Sequence, residues 1–209
     1  MIASPEKQFA RALAIANDAH TGQFDKGGQP YILHPIRIML SLSPSDNVGR
    51  IVALLHDTVE DTKVTLADIN AEFGQTVHDA VNAMTRRIVK VDDTGGFGVS
   101  LLADGRVHDS TVKVPGSKPP RERYMAFIGR VSQNEIATRV KLMDIADNMR
   151  PERWHRDIEG LNGRYEKARE FLTAALFEFR TMATLDFLVH TKMITLEEQI
   201  KRLGELQKA

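Results

Sequence analysis

The sequence contains no cysteine, which removes a disulfide framework, a thiolate metal site and a cysteine nucleophile together. It has no surplus of either charge, since 28 lysines and arginines balance 28 aspartates and glutamates. Without a global basic field it has no means of recruiting nucleic acid non-specifically, so no nucleic-acid partner is expected. Long apolar runs are missing as well: nothing approaches the roughly 20 residues needed to span a bilayer. The start Met1-Ile2-Ala3-Ser4-Pro5-Glu6 lacks the apolar core of a signal peptide. These absences lead to the expectation of a cytoplasmic protein with no membrane partner. There is no internal repeat or low-complexity tract, and 209 residues give room for one domain with a real core, or one domain with an appended helix.

What the sequence does have is helical periodicity. In residues 7–20, Phe9, Leu13 and Ala16, with Ala12 and Ile15, mark an amphipathic helix that ends near Gly22. Residues 35–42 form a second, stopped by Ser43-Pro44, and residues 49–60 a third. Residues 65–73 follow, with Thr65 as cap and Asp68 three positions on, and then residues 75–86. Helical pattern resumes at 122–131, 134–150, 163–189 and 195–207, the last opened by the capping-box start Thr195-Leu196-Glu197-Glu198. Between residues 88 and 120 the rhythm breaks. Gly98-Val99-Ser100-Leu101-Leu102 and the stretch from Arg106 to Val114 flank Asp104-Gly105, which predicts a small β-hairpin over residues 98–114. The reading is an all-α single domain over residues 1–209, with residues 88–120 inserted and residues 163–209 as a C-terminal helical extension.

The most informative stretch is Ala53-Leu54-Leu55-His56-Asp57-Thr58-Val59-Glu60-Asp61-Thr62. If it is one continuous helix, His56, Asp57, Glu60 and Asp61 crowd one edge at spacings of three and four. Three carboxylates that close repel one another, and a divalent cation would remove the conflict. Two further segments supply ligands. Tyr31-Ile32-Leu33-His34-Pro35 sets His34 at a loop-to-helix junction, the proline suiting the first helical position. Val140 to Arg150 places Asp144 and Asn148 on one helix face, with Lys141 a turn earlier. The set His34, His56, Asp57 and Asp144 offers two imidazoles and two carboxylates, a mixed nitrogen and oxygen donor set suited to manganese, iron or zinc. The remaining histidines, His20, His78, His108, His155 and His190, have no partner at ligand spacing and read as structural or surface residues.

His34-Pro35, His56-Asp57, Glu60-Asp61 and Lys141-Leu142-Met143-Asp144 with Asn148-Met149-Arg150, preceded by Gly22-Gln23 and Pro30-Tyr31, resemble the signatures of HD-domain hydrolases. The resemblance is to the hydrolase domain of RelA/SpoT-type alarmone enzymes and to the small alarmone hydrolases, and it runs from about Phe9 to Arg150. It implies a manganese-dependent pyrophosphohydrolase, another divalent metal being an alternative, that removes the 3′-diphosphate of (p)ppGpp or (p)ppApp. By resemblance His34, His56, Asp57 and Asp144 bind the metal, while Glu60 and Asp61 serve the attacking water and the scissile phosphate. The partner implied is a small nucleotide. The length leaves no room for an alarmone synthetase and regulatory region as well.

Two departures touch the expected nucleotide pocket. The family commonly carries Arg-Lys in the loop before Pro-Tyr, where this chain reads Asp25-Lys26; an aspartate can neither stack on a base nor grip a phosphate as an arginine does, which leaves base choice open. Ile145-Ala146-Asp147 also stands where Arg-Leu-His is usual. Asp25, Lys26 and Asn148 are the expected substrate contacts. Three other readings remain: an NADPH 2′-phosphatase or other HD-type nucleotide phosphohydrolase, a (p)ppApp-preferring enzyme, and a non-catalytic nucleotide-sensing module. A homo-oligomer formed through the hairpin or the C-terminal helices is compatible with all of them.

Overall fold

The computed structural model describes residues 4–87, 90–91, 97–98, 121–153, 159–190, 201–202 and 204–205. The helices in chain order are α1 (Pro5–Ala19), α2 (Leu33–Ser41), α3 (Asn47–Leu55), α4 (Thr58–Asp61), α5 (Leu66–Phe73), α6 (Gln75–Met84), α7 (Tyr124–Val131), α8 (Glu135–Asn148) and α9 (Glu159–His190). A 3₁₀ turn, Pro151–Arg153, follows α8.

α3 is the centre of the molecule. Ile51, Val52, Ala53, Leu54 and Leu55 are all buried, as expected of a helix that is apolar on every side. It packs against α1, α2, α6 and α8. Each large apolar side chain buried there contributes about 1.5–3 kcal/mol relative to exposure. The helix starts at Asp46, whose carboxylate accepts from the Gly49 N–H at 2.9 Å and meets Arg139 Nη2 of α8 at 3.1 Å. One side chain therefore caps α3 and ties it to the helix that carries Asp144.

Local sequence chemistry explains the other boundaries. Pro5 opens α1 at a position where its missing N–H costs nothing. α1 runs out at His20, and Gly22 (φ +77°) takes the left-handed turn that follows. The capping box expected at Thr65 and Asp68 is present: the Asp68 N–H donates to Thr65 Oγ1 at 3.1 Å and the Thr65 N–H to Asp68 Oδ2 at 2.9 Å.

The expected continuous helix over residues 49–60 is instead broken at His56 and Asp57. Thr58 Oγ1 donates to the Leu55 carbonyl at 2.7 Å, and His56 Nδ1 lies 2.8 Å from the Ala53 carbonyl. These side chains compete for the backbone groups of the helix end. The four acidic and imidazole groups consequently do not share one edge.

The hairpin expected over residues 98–114 finds no support. Residues 99–114 lie outside the described residues, and Gly98 pairs backward, with Lys90. The strands are β1 (Lys90–Val91) and β2 (Phe97–Gly98), antiparallel, with Val91 opposite Phe97. The intervening Asp92-Asp93-Thr94-Gly95-Gly96 is as turn-prone as Asp104-Gly105, and a ladder of two residues leaves the architecture all-helical. The stem of the 88–120 segment is firm. Glu122 N–H donates to the Arg87 carbonyl at 2.9 Å, and the Arg87 N–H to Glu122 Oε1 at 2.7 Å.

α9 is longer than the helix expected over residues 163–189. Ala168 and Leu172 are fully buried, and Tyr165 meets Tyr124 of α7 edge-on, with ring centroids 6.0 Å apart. Its central part belongs to the core. The helix expected over residues 195–207 falls mostly outside the described residues.

Candidate metal centre

Three elements deliver the four expected ligands to one buried point. His34 enters from the first turn of α2, His56 and Asp57 from the break between α3 and α4, and Asp144 from α8. His34 Nε2 lies 3.1 Å from Asp144 Oδ1 and 3.6 Å from Asp57 Oδ2. His56 Nε2 lies 2.9 Å from Asp57 Oδ2 and 3.7 Å from Asp144 Oδ1. Ligand atoms of His34, His56 and Asp57 all fall within 4.8 Å of one another.

Neighbours hold these groups in place. Tyr31 Oη donates to Asp57 Oδ2 at 2.5 Å. Lys141 Nζ lies 2.6 Å from Asp144 Oδ2, and Asn148 Nδ2 donates to Asp144 Oδ1 at 2.7 Å. Behind His34, its Nδ1 lies 2.7 Å from Asp147 Oδ2, which in turn receives Arg37.

The donor set fits a cation. His56 presents Nδ1 to the Ala53 carbonyl, which turns Nε2 toward the carboxylates, and this buried nitrogen makes no hydrogen bond of its own. Burial opposes charge on His56, but Asp57 and Asp144 outweigh it and push its pKa up to about 10. A cation between ring and carboxylates would take the place of that extra proton. Burial would likewise raise Asp57 and Asp144; the two imidazoles hold Asp57 below the usual carboxylate range, and Lys141 with both histidines does the same for Asp144. Burial and the Asp57 carboxylate together push the Tyr31 hydroxyl upward, so it stays a hydrogen-bond donor.

The other expected site residues are placed differently. Glu60 Oε2 accepts from the Arg86 N–H at 2.8 Å, and its second oxygen pairs with Arg121. Asp61 is more exposed, at 40% against 16% for Glu60, and lies 3.9 Å from Arg121 Nη2. Glu60 and Asp61 thus stand at the foot of the 88–120 segment. Asp25 faces inward: Oδ1 accepts from the Gln29 N–H at 2.9 Å, and Oδ2 lies 3.7 Å from Arg153 Nε. Lys26 is exposed on the same loop. That loop docks closely, since a Cβ on Gly27 would sit 2.6 Å from the Glu152 carbonyl. Asn148 is engaged at both ends, donating to Asp144 and accepting from Arg153 Nη1 at 2.6 Å.

Sequence reasoning missed Arg37, Arg121 and Arg153 as parts of this region, and it marked Tyr31 and Asp147 without the contacts they make to Asp57 and His34. His20, read as structural, is buried beside it, with its ring 4.8 Å from that of Tyr31 and its pKa lowered by burial. Arg37 and His34 share a helix face at a spacing of three, the one signal that could have flagged the arginine.

Residues 12–95 match the family described as HD domain. Over 151 residues, 70% of this chain, the sequence is 38% identical to the bifunctional (p)ppGpp synthase/hydrolase SpoT of Escherichia coli (strain K12), covering 18% of that protein. It is 39% identical over 82 residues to a guanosine-3′,5′-bis(diphosphate) 3′-pyrophosphohydrolase of Aquifex aeolicus, covering 38% of this chain and 12% of that one. The chain spans less than a fifth of the length of these relatives. A solved structure described as a metazoan ortholog of SpoT that hydrolyzes ppGpp superimposes with a TM-score of 0.55 at 24% identity, covering 84% of this chain and 95% of that chain, a likeness of fold. Residues 12–95 therefore resemble an HD domain in sequence, and the fold agrees. Its sequence relatives include SpoT, proteins named as 3′-pyrophosphohydrolases and proteins named as GTP pyrophosphokinases.

Proposed function

We propose that the protein is a manganese-dependent 3′-pyrophosphohydrolase of alarmone nucleotides, (p)ppGpp and by extension (p)ppApp, yielding pyrophosphate and the nucleoside 5′-phosphate, di- or triphosphate. The observation that carries this reading is the convergence of His34, His56, Asp57 and Asp144, with the buried His56 Nε2 making no hydrogen bond. Kinship with SpoT gives the substrate class.

A bound divalent ion would supply a Lewis acid for a phosphoryl oxygen and lower the pKa of water toward neutrality. The chain's own residues do the rest. Tyr31 fixes Asp57, while Lys141 and Asn148 fix Asp144, so the carboxylates need no rearrangement when a substrate arrives. Asp61, the more exposed of the acidic pair, takes a proton from the attacking water; Glu60, gripped by Arg86 and Arg121, orients it. Arg121 and Lys26 offset phosphate charge. Asn148 serves Asp144 before it serves a ribose, and Asp25 acts on the base pocket through Arg153.

No helix among the described residues is long and apolar enough to cross a membrane. Incubation of the manganese-loaded protein with ppGpp, ppApp and NADPH tests the proposal. Pyrophosphate from the first two is expected; orthophosphate from NADPH alone would replace it with a 2′-phosphatase, and no turnover of any would leave a sensing module.

A further inference from the structure

His34 Nδ1 has two close neighbours of opposite character. The Asp147 carboxylate, which only accepts, stands 2.7 Å away, and Arg153 Nη1, which only donates, also stands 2.7 Å away. The choice between them fixes the tautomer. With Arg153 as partner, Nδ1 would accept, and the ring proton would sit on Nε2 and block it as a ligand. With Asp147 as partner, Nδ1 carries the proton and Nε2 offers its lone pair toward Asp57 and Asp144.

Geometry favours Asp147. Arg153 Nη1 already has better acceptors in Asn148 Oδ1, at 2.6 Å, and Asp147 Oδ2, at 3.2 Å. Asp147 is itself held as a carboxylate by Arg37, whose Nε lies 2.6 Å from Oδ1 and whose Nη2 lies 3.0 Å from Oδ2, a two-pronged contact. Both His34 and Asp147 are buried, so no solvent competes for the bond. Asp25 adds a counter-charge to Arg153 from the opposite side.

We infer that Asp147, clamped by Arg37, is a positioning residue: it accepts the Nδ1 proton of His34 and so presents Nε2 to the metal. This rests on the metal reading above. A carboxylate behind a ligating histidine sharpens both its orientation and its basicity, and losing one typically weakens metal binding 10–100-fold.

The test combines manganese titration, followed by electron paramagnetic resonance of the free ion, with nitrogen-15 imidazole spectra of the metal-free protein. In the wild type, Nδ1 of His34 is expected to carry a hydrogen-bonded proton. Asp147→Ala is expected to lose that proton signal and to bind manganese 10–100-fold more weakly. Asp147→Asn keeps an oxygen acceptor in the same place and is expected to retain the proton with a smaller loss of affinity; it decides the matter should Asp147→Ala fail to fold. Thr65→Ala, which removes the α5 capping box away from the site, controls for general loosening and is expected to leave affinity unchanged. An unprotonated Nδ1 in the wild type, or unaltered affinity in a folded Asp147→Ala, overturns the role of Asp147 alone. A wild-type protein that takes up no manganese overturns the metal reading and this inference with it.

Discussion

Residues 53–57 and residues 58–61 adjoin in sequence, yet the molecule treats their charged groups in opposite ways. His56 is enclosed, with its ring aimed by the Ala53 carbonyl, and the Asp57 carboxylate, 20% exposed, is aimed by Tyr31 toward both imidazoles. Glu60 is held by the Arg86 N–H and by Arg121 from either side of the 88–120 segment, and Asp61, 40% exposed, stands at the edge near Arg121. In the enclosed half each charge needs its partner, because an uncompensated buried charge is expensive. Water can replace a lost partner at Asp61, and an amide at Glu60 keeps an oxygen for the Arg86 N–H, so the acidic pair is open to conservative change without loss of the fold.

Breaking the enclosed half has the largest expected effect. Asp144→Ala leaves the largely buried Lys141 without its carboxylate, at a cost of about 3–5 kcal/mol, and removes one of the four proposed ligands. Urea unfolding and metal titration are expected to show a much earlier midpoint and no bound manganese; a near-wild-type midpoint would show that the enclosure matters less than argued.

Breaking the edge should separate rate from fold. Glu60→Gln with Asp61→Asn is expected to keep the metal and the unfolding midpoint while slowing turnover roughly 100-fold or more, the scale of lost acid-base assistance. Loss of metal along with rate would make the pair part of the enclosed half.

The contrast between these halves also shows what the sequence could reveal. The candidate ligands and their order were legible, since His34, His56, Asp57 and Asp144 each sit in a short recognisable segment, and the structure brings these four side chains together. The helix break that parts Asp57 from Glu60 was not, because residues 53–61 contain neither glycine nor proline, and the competing bonds come from Thr58 and His56 side chains. The supports were hidden by distance: Asp147 meets His34 across 113 positions, and Arg121 meets Glu60 from beyond a long insertion. The hairpin expected around Asp104-Gly105 gains no support, because residues 99–114 lie outside the described residues and Gly98 pairs with Lys90.

A gentler probe is pH. His56 is raised from 6.5 to about 10 in the folded protein, so its contribution to stability is fully present below pH 6.5 and is lost as pH rises through 10. The metal-free protein is expected to weaken over that window in thermal melts, and manganese to suppress the weakening by taking the proton's place. Asp57, Asp144 and Asp147 are depressed, so their contribution is present above the unfolded carboxylate value near ~3.9 and is lost as pH falls below it. A melting temperature that rises from pH 6.5 to 10 without metal would contradict the charge balance described for His56.

The smallest expected effect lies outside both halves. Thr65→Ala removes the α5 capping box and should cost about 1 kcal/mol, with manganese affinity and turnover unchanged. A drop in affinity would extend the coupling of the site farther along the chain than the contacts described.

Anomalous diffraction from a crystal of the wild-type protein grown with manganese tests the central claim most directly. The account expects one strong peak bounded by His34 Nε2, His56 Nε2, Asp57 and Asp144, within direct bonding distance of all four, and no such peak in Asp57→Ala. A fully folded wild-type protein with no peak there, or a peak held by Glu60 and Asp61 instead, would contradict it.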